Sequence, residues 1–188
     1  MLQNLFTISA YRTKLNYQTD KIQEHLHQLH NDNKLTSQKN WNTPILTSHN
    51  VININEEYKD LMQNIAYHVG QYAEQSGYKV NKIFCRDAWF NYGLKNSYQE
   101  YHVHTGSHFS GVYFINVPED CGTLVFKKNI NMMEYPEIET PSEHNCGTVQ
   151  ILPKENELIL FNSNLEHMVT QNITDTPRIT MSFNFIIE

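Results

Sequence analysis

The sequence is poor in the residues that would place it in several large classes of protein. Arginine occurs three times in 188 residues, and the formal net charge is −6. A surface that neutralises a nucleic-acid backbone needs clustered cations, so we expect no nucleic acid among the direct partners. No apolar run is long enough to span a bilayer, and the start, MLQNLFTISAYRTKLNY, lacks the basic-then-apolar layout of a secretory signal. We therefore expect no membrane association.

Cysteine is scarce as well. The three cysteines, Cys85, Cys121 and Cys146, are odd in number and lie far apart in the sequence. This distribution argues against a disulfide framework and fits a reducing compartment. The sequence therefore predicts a cytoplasmic protein with free thiols.

The N-terminal part is patterned mainly as helix. Residues 5–12 indicate a short first strand, and a helical pattern runs from Asp20 to about His30. A single apolar stripe from about Glu56 to Ser76 predicts a second helix, which Gly77 ends. The polar residues 31–50 between them indicate a loop that could act as a lid.

The chain changes character after Val80. Short runs rich in β-branched and aromatic residues alternate with turn formers, which is typical of an antiparallel sandwich or barrel. Residues 129–145 are too long and too polar for a hairpin turn and indicate an insertion loop over a site. The runs are KIFCRDAWFNYG, HFSGVYFINVP, GTLVFKK, GTVQILP, NELILFNS and RITMSFNFII.

These patterns predict an α+β fold that is mainly β. Its core is a double-stranded β-helix, a jelly roll like that of the cupins, with the N-terminal helices packed on one sheet. The length fits one domain over residues 1–188, with a helical support region at 1–79 and the jelly-roll core at 80–188.

Histidines are concentrated in the stretch QEYHVHTGSHFSGVYF, residues 99–114. Ten histidines in the chain make a chance H-x-H pair plausible, and the chain supplies a comparison in His25 and His27. That pair lies in a helical pattern, where residues i and i+2 point to different faces and share a ligand with difficulty. The H-x-H motif alone is therefore weak evidence for a site.

The last strand supplies a second observation. In RITMSFNFII the odd-numbered residues from 179 to 185 point to one side, and Arg178, Thr180, Ser182 and Asn184 point to the other. The polar row has two interpretations: an ordinary water-facing side, or the lining of an open barrel in which Arg178 holds a carboxylate. His167 precedes Arg178 by eleven residues, so the two can lie at the same end of a barrel.

The order of the motifs HVH, YFIN, CGTLVF, PKENELILF, EH and RIT resembles that of the iron(II)- and 2-oxoglutarate-dependent dioxygenases. HVHTGSHFSGVYF and RITMSFNF are most similar to a group of 2-oxoglutarate oxygenases found in marine bacteria and phages. The resemblance extends over nearly the whole chain, and the ordered set of motifs is more specific than any one of them.

The resemblance implies iron(II) as cofactor, 2-oxoglutarate as cosubstrate, and hydroxylation as the reaction. His102 and His167 match the family's two histidine ligands, and His104 is expected to be the third metal ligand, so His102, His104, His167 and Arg178 are the expected catalytic residues. Arg178, Thr180 and Tyr113 match positions that hold the cosubstrate. Asn91, with Trp89 on the preceding strand, is expected to line the same pocket.

One position departs from the family pattern. The third ligand of such a site is ordinarily a carboxylate two residues after the first histidine, and this chain has His104 there. Imidazoles bind iron(II) well, so His104 is a suitable replacement. Glu100 and His108 are the alternatives that the sequence leaves open.

Two other functions compete with the dioxygenase hypothesis. One is a jelly-roll module that binds a metal or ligand without turnover, which a solvent-facing Arg178 would favour. The other is a three-histidine dioxygenase that needs no 2-oxoglutarate, although such an enzyme has no dicarboxylate for Arg178 to anchor. The substrate is expected to be a small molecule or a peptide, and the sequence leaves homodimerisation open.

Overall fold

The computed structural model describes residues 3, 7–37, 44–48, 58–128 and 137–188. These residues form two helices and eleven strands. The helices are α1 (Asp20–Asn31) and α2 (Lys59–Gln75). The strands are β1 (Tyr11–Lys14), β2 (Thr36–Ser37), β3 (Leu46–Thr47), β4 (Ile83–Gly93), β5 (Gln99–His102), β6 (Phe109–Asn116), β7 (Leu124–Lys127), β8 (Thr148–Ile151), β9 (Glu157–Asn162), β10 (His167–Val169) and β11 (Arg178–Ile187).

The strands form two antiparallel sheets. The larger has the order β1-β9-β6-β11-β4-β3-β2, and the smaller has the order β5-β10-β7-β8. From β4 to β11 the chain alternates between the two sheets, except that β7 and β8 are neighbours in sequence that pair within the smaller sheet. The prediction of a mainly β protein with few helices is confirmed.

Both helices pack against one face of the larger sheet. The apolar stripe predicted for α2 is buried, with Leu61, Ile65 and Val69 fully excluded from solvent. Gly77 ends α2 as expected: its φ is +83°, and its N–H donates to the Glu74 carbonyl at 2.9 Å. A left-handed residue at this position satisfies the free carbonyls of the last turn, and glycine adopts it without strain.

The strands of the larger sheet bury a different set of residues on each face. On β11, Ile179, Met181, Phe183 and Phe185 join the helix-side core, each no more than 1 % exposed. A second apolar cluster, which includes Phe114 from β6, fills part of the space between the sheets. The larger sheet is therefore the middle layer of the molecule.

Several predicted boundaries differ from the structure. The first strand begins at Tyr11, residues 7–10 are irregular, and residues 5 and 6 lie outside the described part. The region 31–50, predicted as loop, contains β2 and β3, and β3 extends the sheet by pairing Thr47 with Asn91. The physical reason is the unpaired edge of β4, which accepts even a two-residue strand.

The proposed lids lie partly outside the described residues. Positions 38–43, 49–50 and 129–136 are not described, and residues 137–145 contain neither helix nor strand. Lid function therefore stays a prediction. No helix among the described residues is long and apolar enough to cross a membrane.

Candidate active site

A cavity of about 280 Å³ lies between the two sheets. Its wall on the larger sheet is the polar row of β11, and its wall on the smaller sheet carries histidines of β5 and β10. The polar side of RITMSFNFII therefore faces this cavity and not bulk water. This agrees with the interpretation of the polar row as the lining of an open barrel.

Three histidines meet at one end of the cavity. His102 ends β5 and His167 begins β10, and the two residues are paired across the antiparallel strands. His104 follows two residues after β5, and its Nε2 lies 3.3 Å from His167 Nε2. Each imidazole offers one ring nitrogen, and the three nitrogens lie within 4.8 Å of one another.

The orientation of two of these rings is fixed by backbone carbonyls. His102 Nδ1 lies 2.7 Å from the Glu100 carbonyl oxygen, and His167 Nδ1 lies 2.8 Å from that of Leu165. A carbonyl oxygen only accepts, so each Nδ1 carries the proton and each Nε2 holds a lone pair. Histidines that bind metals have this arrangement, with the distal N–H anchored to an acceptor.

Burial keeps the imidazoles neutral. Desolvation lowers the pKa of His167 to about 3 and that of His104 to about 4, and it also lowers the pKa of His102. Mutual repulsion between the rings acts in the same direction on His104 and His167. Neutral imidazole is the form that binds a metal, so at neutral pH the cluster is ready to do so.

The donor set fits a divalent transition metal. Imidazole nitrogen is a good ligand for iron, zinc, copper and nickel, and three of them leave other coordination positions open. Among the described residues, this is the single group of three or more such side chains close enough to share an ion, and it contains no carboxylate.

Arg178 lines the same cavity and is 3 % exposed. Its Nη1 donates to the carbonyl oxygens of Cys121 at 2.5 Å and Thr170 at 3.3 Å. Within the part of the chain that the structure describes, no carboxylate pairs with it. Desolvation lowers the pKa of Arg178 to about 10, so the group still carries its charge at neutral pH.

The backbone is shaped to leave room for this guanidinium. A Cβ on Gly122 would lie 2.9 Å from Arg178 Nη1 and 2.3 Å from the Thr170 oxygen. A Cβ on Gly93 would instead collide with the Ser97 hydroxyl, at 2.8 Å, and would make only an ordinary contact with Arg178 Nη2, at 3.6 Å. A buried cation without a counterion is costly, so the site calls for an anionic ligand, and a carboxylate matches the guanidinium fork.

Between Arg178 and the histidines, a network of hydrogen bonds covers the cavity wall. Asn91 Nδ2 donates to the hydroxyls of Thr180 at 3.1 Å and Ser182 at 2.8 Å. Trp89 Nε1 donates to Asn91 Oδ1 at 3.0 Å. Both hydroxyls act as acceptors toward Asn91, which leaves their own protons able to donate to a ligand.

The structure does not bring Tyr113 to the cavity. Tyr113 pairs with Met181 across β6 and β11, and its hydroxyl donates to Asn156 Oδ1 at 2.5 Å. Directly paired residues share a face, so Tyr113 lies in the helix-side core, while Val112 and Phe114 face the cavity.

The alternative ligands also lie elsewhere. Glu100 contacts His102 through its backbone carbonyl, and its side chain is exposed. His108 is exposed, and its Nδ1 accepts from the Ile187 N–H at 3.1 Å. In the comparison pair on α1, His25 contacts Tyr58 and His27 contacts Tyr92, so those two rings serve different partners.

Sequence reasoning missed one charged group in the cavity wall. Asp87 lies on β4 opposite Asn184, accepts a hydrogen bond from Asn184 Nδ2, and acts electrostatically on His104. The signal that could have found it is alternation on β4, where Asp87, Trp89 and Asn91 share the cavity side.

Comparison with known proteins agrees with this site. Residues 87–184, just over half of the chain, match the family described as "Putative 2OG-Fe(II) oxygenase". The chain therefore belongs to this family of 2-oxoglutarate- and iron(II)-dependent oxygenases. No curated protein matches the chain.

Solved structures of the same fold cover nearly the whole chain. A prolyl-4-hydroxylase from Pseudomonas putida is 10% identical, with a TM-score of 0.70, and the match covers 97% of this chain and 94% of that one. The epimerase SnoN, in complex with Fe3+, alpha ketoglutarate and nogalamycin RO, is 13% identical, with a TM-score of 0.65 and coverages of 96% and 79%.

A prolyl hydroxylase from Trichoplax adhaerens, in complex with a hypoxia inducible factor peptide fragment, is also 13% identical. Its TM-score is 0.64, with coverages of 96% and 84%. The predicted family and enzyme class are confirmed: the chain is an oxidoreductase that uses iron(II) and 2-oxoglutarate. A solvent-facing Arg178 would have favoured a non-catalytic module, but Arg178 is buried.

Proposed function

We propose that the protein is a hydroxylase in which His102, His104 and His167 bind iron(II), and Arg178, Thr180 and Asn91 form the 2-oxoglutarate site. One observation carries the proposal: a cluster of three neutral imidazoles and a buried arginine without a counterion among the described residues line the same cavity.

The three imidazoles hold the metal without neutralising its charge. A two-histidine, one-carboxylate site contributes one negative charge, whereas His104 contributes none. The dianionic cosubstrate then supplies the compensating negative charge, both to the metal and, through its far carboxylate, to the Arg178 guanidinium. We infer that metal and cosubstrate bind with strong positive coupling, because each lowers the electrostatic cost of the other.

Arg178 anchors the distal carboxylate of the cosubstrate. Its fork provides two parallel donors, and the Thr180 hydroxyl, held by Asn91, adds another. Tyr113 takes no direct part, because its hydroxyl is engaged with Asn156 on the other side of the sheet.

When bound, iron(II) with 2-oxoglutarate and dioxygen supplies the oxidising power for C–H hydroxylation, and 2-oxoglutarate leaves as succinate and carbon dioxide. The chain's own residues bind and orient these ligands and exclude water from the cavity. The apolar side chains of Phe114, Leu124 and Phe161 line the cavity beside the polar row and limit access of water to the reacting centre.

The two sheets are proposed to form a double-stranded β-helix within one domain. Strands β4 to β11 are eight in number, and four lie in each sheet. Eight strands in two sheets agree with the jelly-roll architecture. Three strands before residue 80 join the larger sheet, so the support region at 1–79 contributes more than helices.

The substrate is proposed to be a small molecule or a peptide. The related fold holds a peptide fragment in the Trichoplax enzyme and nogalamycin RO in SnoN. Trp89 lies beside the three histidines, with its ring centroid 6.0 Å from that of His104. Its ring offers an aromatic surface against which a substrate would lie.

Titration of metal-free protein tests the proposal. Iron(II) is added without oxygen, 2-oxoglutarate is titrated, and the visible spectrum is recorded for wild type, His104→Ala and Arg178→Ala. A metal-to-ligand charge-transfer band in wild type that weakens in both variants supports the assigned roles. A band of unchanged intensity and affinity in either variant removes that residue from the site.

A further inference from the structure

The residues around His104 differ from those around the other two histidines. His102 and His167 lie in paired strands, so their backbones are fixed by the smaller sheet. His104 lies in the connection between β5 and β6, where its N–H donates to the Ser163 carbonyl at 2.9 Å. The position of its ring therefore depends on what holds this connection.

Arg86 holds the connection from outside the cavity. Its Nη1 donates to the Thr105 carbonyl, one residue after His104, at 2.7 Å. Its Nε donates to Asp87 Oδ2 at 2.9 Å, so one guanidinium joins the connection to β4. Gly106 permits this contact, because its φ is +77° and a Cβ there would lie 2.6 Å from Arg86 Nη1.

Asp87 is anchored in turn by a buried chain of hydrogen bonds. Asn184 Nδ2 donates to Asp87 Oδ1, and Asn184 Oδ1 accepts from the Ser110 hydroxyl at 2.6 Å. The hydroxyls of Ser110 and Ser163 are 2.8 Å apart, and the Ser163 carbonyl receives the His104 N–H. The chain thus begins at Arg86 and returns to the backbone of His104.

We infer that Arg86 and Asp87 are positioning residues that fix His104 for metal binding. The inference rests on the proposed function, in which His104 is the third ligand. The two residues hold the segment on both sides of His104, through Thr105 directly and through Ser163 by way of Asn184 and Ser110. Arginine suits the task, since its planar fork reaches a carbonyl and a carboxylate at once.

The test measures metal affinity in the full chain by cobalt(II) titration, followed by the visible d–d spectrum. The variants are Arg86→Gln, Asp87→Asn and His104→Ala. Arg12→Gln is the matched control, because the Arg12 and Arg86 side chains are both 43% exposed and each forms one ion pair, Arg12 with Glu157 and Arg86 with Asp87. Melting temperatures of the metal-free proteins are recorded in parallel.

Arg86→Gln and Asp87→Asn are expected to weaken cobalt(II) binding by about tenfold or more, the usual cost of losing an outer partner of a metal ligand. Arg12→Gln is expected to bind like wild type. The melting temperatures of Arg86→Gln and Arg12→Gln should change by similar small amounts, since each variant loses one exposed ion pair. If Arg86 only stabilised the fold, Arg86→Gln would not weaken cobalt(II) binding while its melting temperature changed as little as that of Arg12→Gln.

Two results would overturn the inference, and they are distinguishable. If His104→Ala loses affinity while Arg86→Gln and Asp87→Asn bind cobalt(II) like wild type, the inference is wrong and the proposed function stands. If His104→Ala itself binds like wild type, the third ligand of the proposed function is wrong, and the positioning role falls with it.

Discussion

From Arg178 to Phe185, strand β11 has two faces that are almost wholly buried but differ in chemistry. On the helix side, β11 presents an isoleucine, a methionine and two phenylalanines. On the cavity side, the alternating residues are Arg178, Thr180, Ser182 and Asn184, of which all but Ser182 are less than 9 % exposed. One strand can therefore stabilise the fold with one face and line a polar site, shielded from bulk water, with the other.

The two faces differ in what they cost. Apolar burial on the helix side is favourable by about 1.5–3 kcal/mol per large side chain. On the cavity side, each polar group needs a partner, and the network from Trp89 to Ser182 supplies them. Arg178 differs from these groups because it carries a charge that no partner among the described residues neutralises: its partners are backbone carbonyls. Substitutions that separate stability from binding therefore test the comparison directly.

The largest expected effect is on the helix side. Phe183→Ala should lower the free energy of unfolding by about 3–5 kcal/mol, because Phe183 is fully buried and its removal leaves a cavity. Ser182→Ala, its neighbour on the cavity face, should change it by less than about 1.5 kcal/mol, since one neutral hydrogen bond is lost. Urea unfolding of the metal-free proteins measures both. Equal losses in the two variants would contradict the division between the faces.

The next effect is on the cavity side and concerns the cosubstrate. Arg178→Met should weaken 2-oxoglutarate binding by about 100-fold or more, because two charge-assisted hydrogen bonds are lost at about 1.5–3 kcal/mol each. At 100 times its Kd for wild type, 2-oxoglutarate should stabilise metal-loaded wild type by about 2.7 kcal/mol and Arg178→Met by no more than about 0.4 kcal/mol. Thermal unfolding of the manganese(II)-loaded proteins, with and without 2-oxoglutarate, measures this.

Succinate serves as the control ligand for that experiment, because it carries the distal carboxylate but lacks the keto acid. A melting temperature of Arg178→Met that rises with 2-oxoglutarate as much as that of wild type would show that the guanidinium does not bind the cosubstrate.

The sequence predicted much of this arrangement and missed part of it for identifiable reasons. Alternation in RITMSFNFII assigned both faces of β11, because a long strand with strict period 2 has a single register that buries its apolar side. Tyr113 was assigned to the cosubstrate by resemblance, yet its pairing with Met181 gives it the helix-side face. Which face of β6 meets the apolar face of β11 is set by the pairing of the two strands, which the resemblance to a motif does not give.

Alternation on β4 gives Asp87 the cavity side, but the contacts that link Arg86 and Asp87 to the segment around His104 could not be predicted, for a related reason. Arg86 and Asp87 are close to the histidines only because β4, β11 and the connection after β5 meet in space. Their sequence separation from His104 carries no periodic signal. The short strands β2 and β3 were missed because two residues are too few to show a pattern.

A smaller effect is expected from the hydroxyl beside Arg178. Thr180→Val keeps the shape of the side chain and removes the group that accepts from Asn91. One hydrogen bond to a carboxylate contributes about 1.5 kcal/mol or more, so 2-oxoglutarate affinity should fall by about tenfold. Thr180→Ser should retain near wild-type affinity. The charge-transfer titration measures both, and equal affinity of wild type and Thr180→Val would remove the hydroxyl from the site.

The smallest effect is the low reactivity of a thiol on the helix side of β4. Burial raises the pKa of the Cys85 thiol to about 12, and Cys85 packs against the helix-side core. The reactive form is the thiolate, so the raised pKa makes Cys85 slow to react at pH 8. Labelling with a disulfide reagent at pH 8 should therefore modify Cys85 only when the protein unfolds. Rapid labelling of Cys85 in the Cys146→Ser variant would mean that the helix side of β4 opens on the time scale of the reaction.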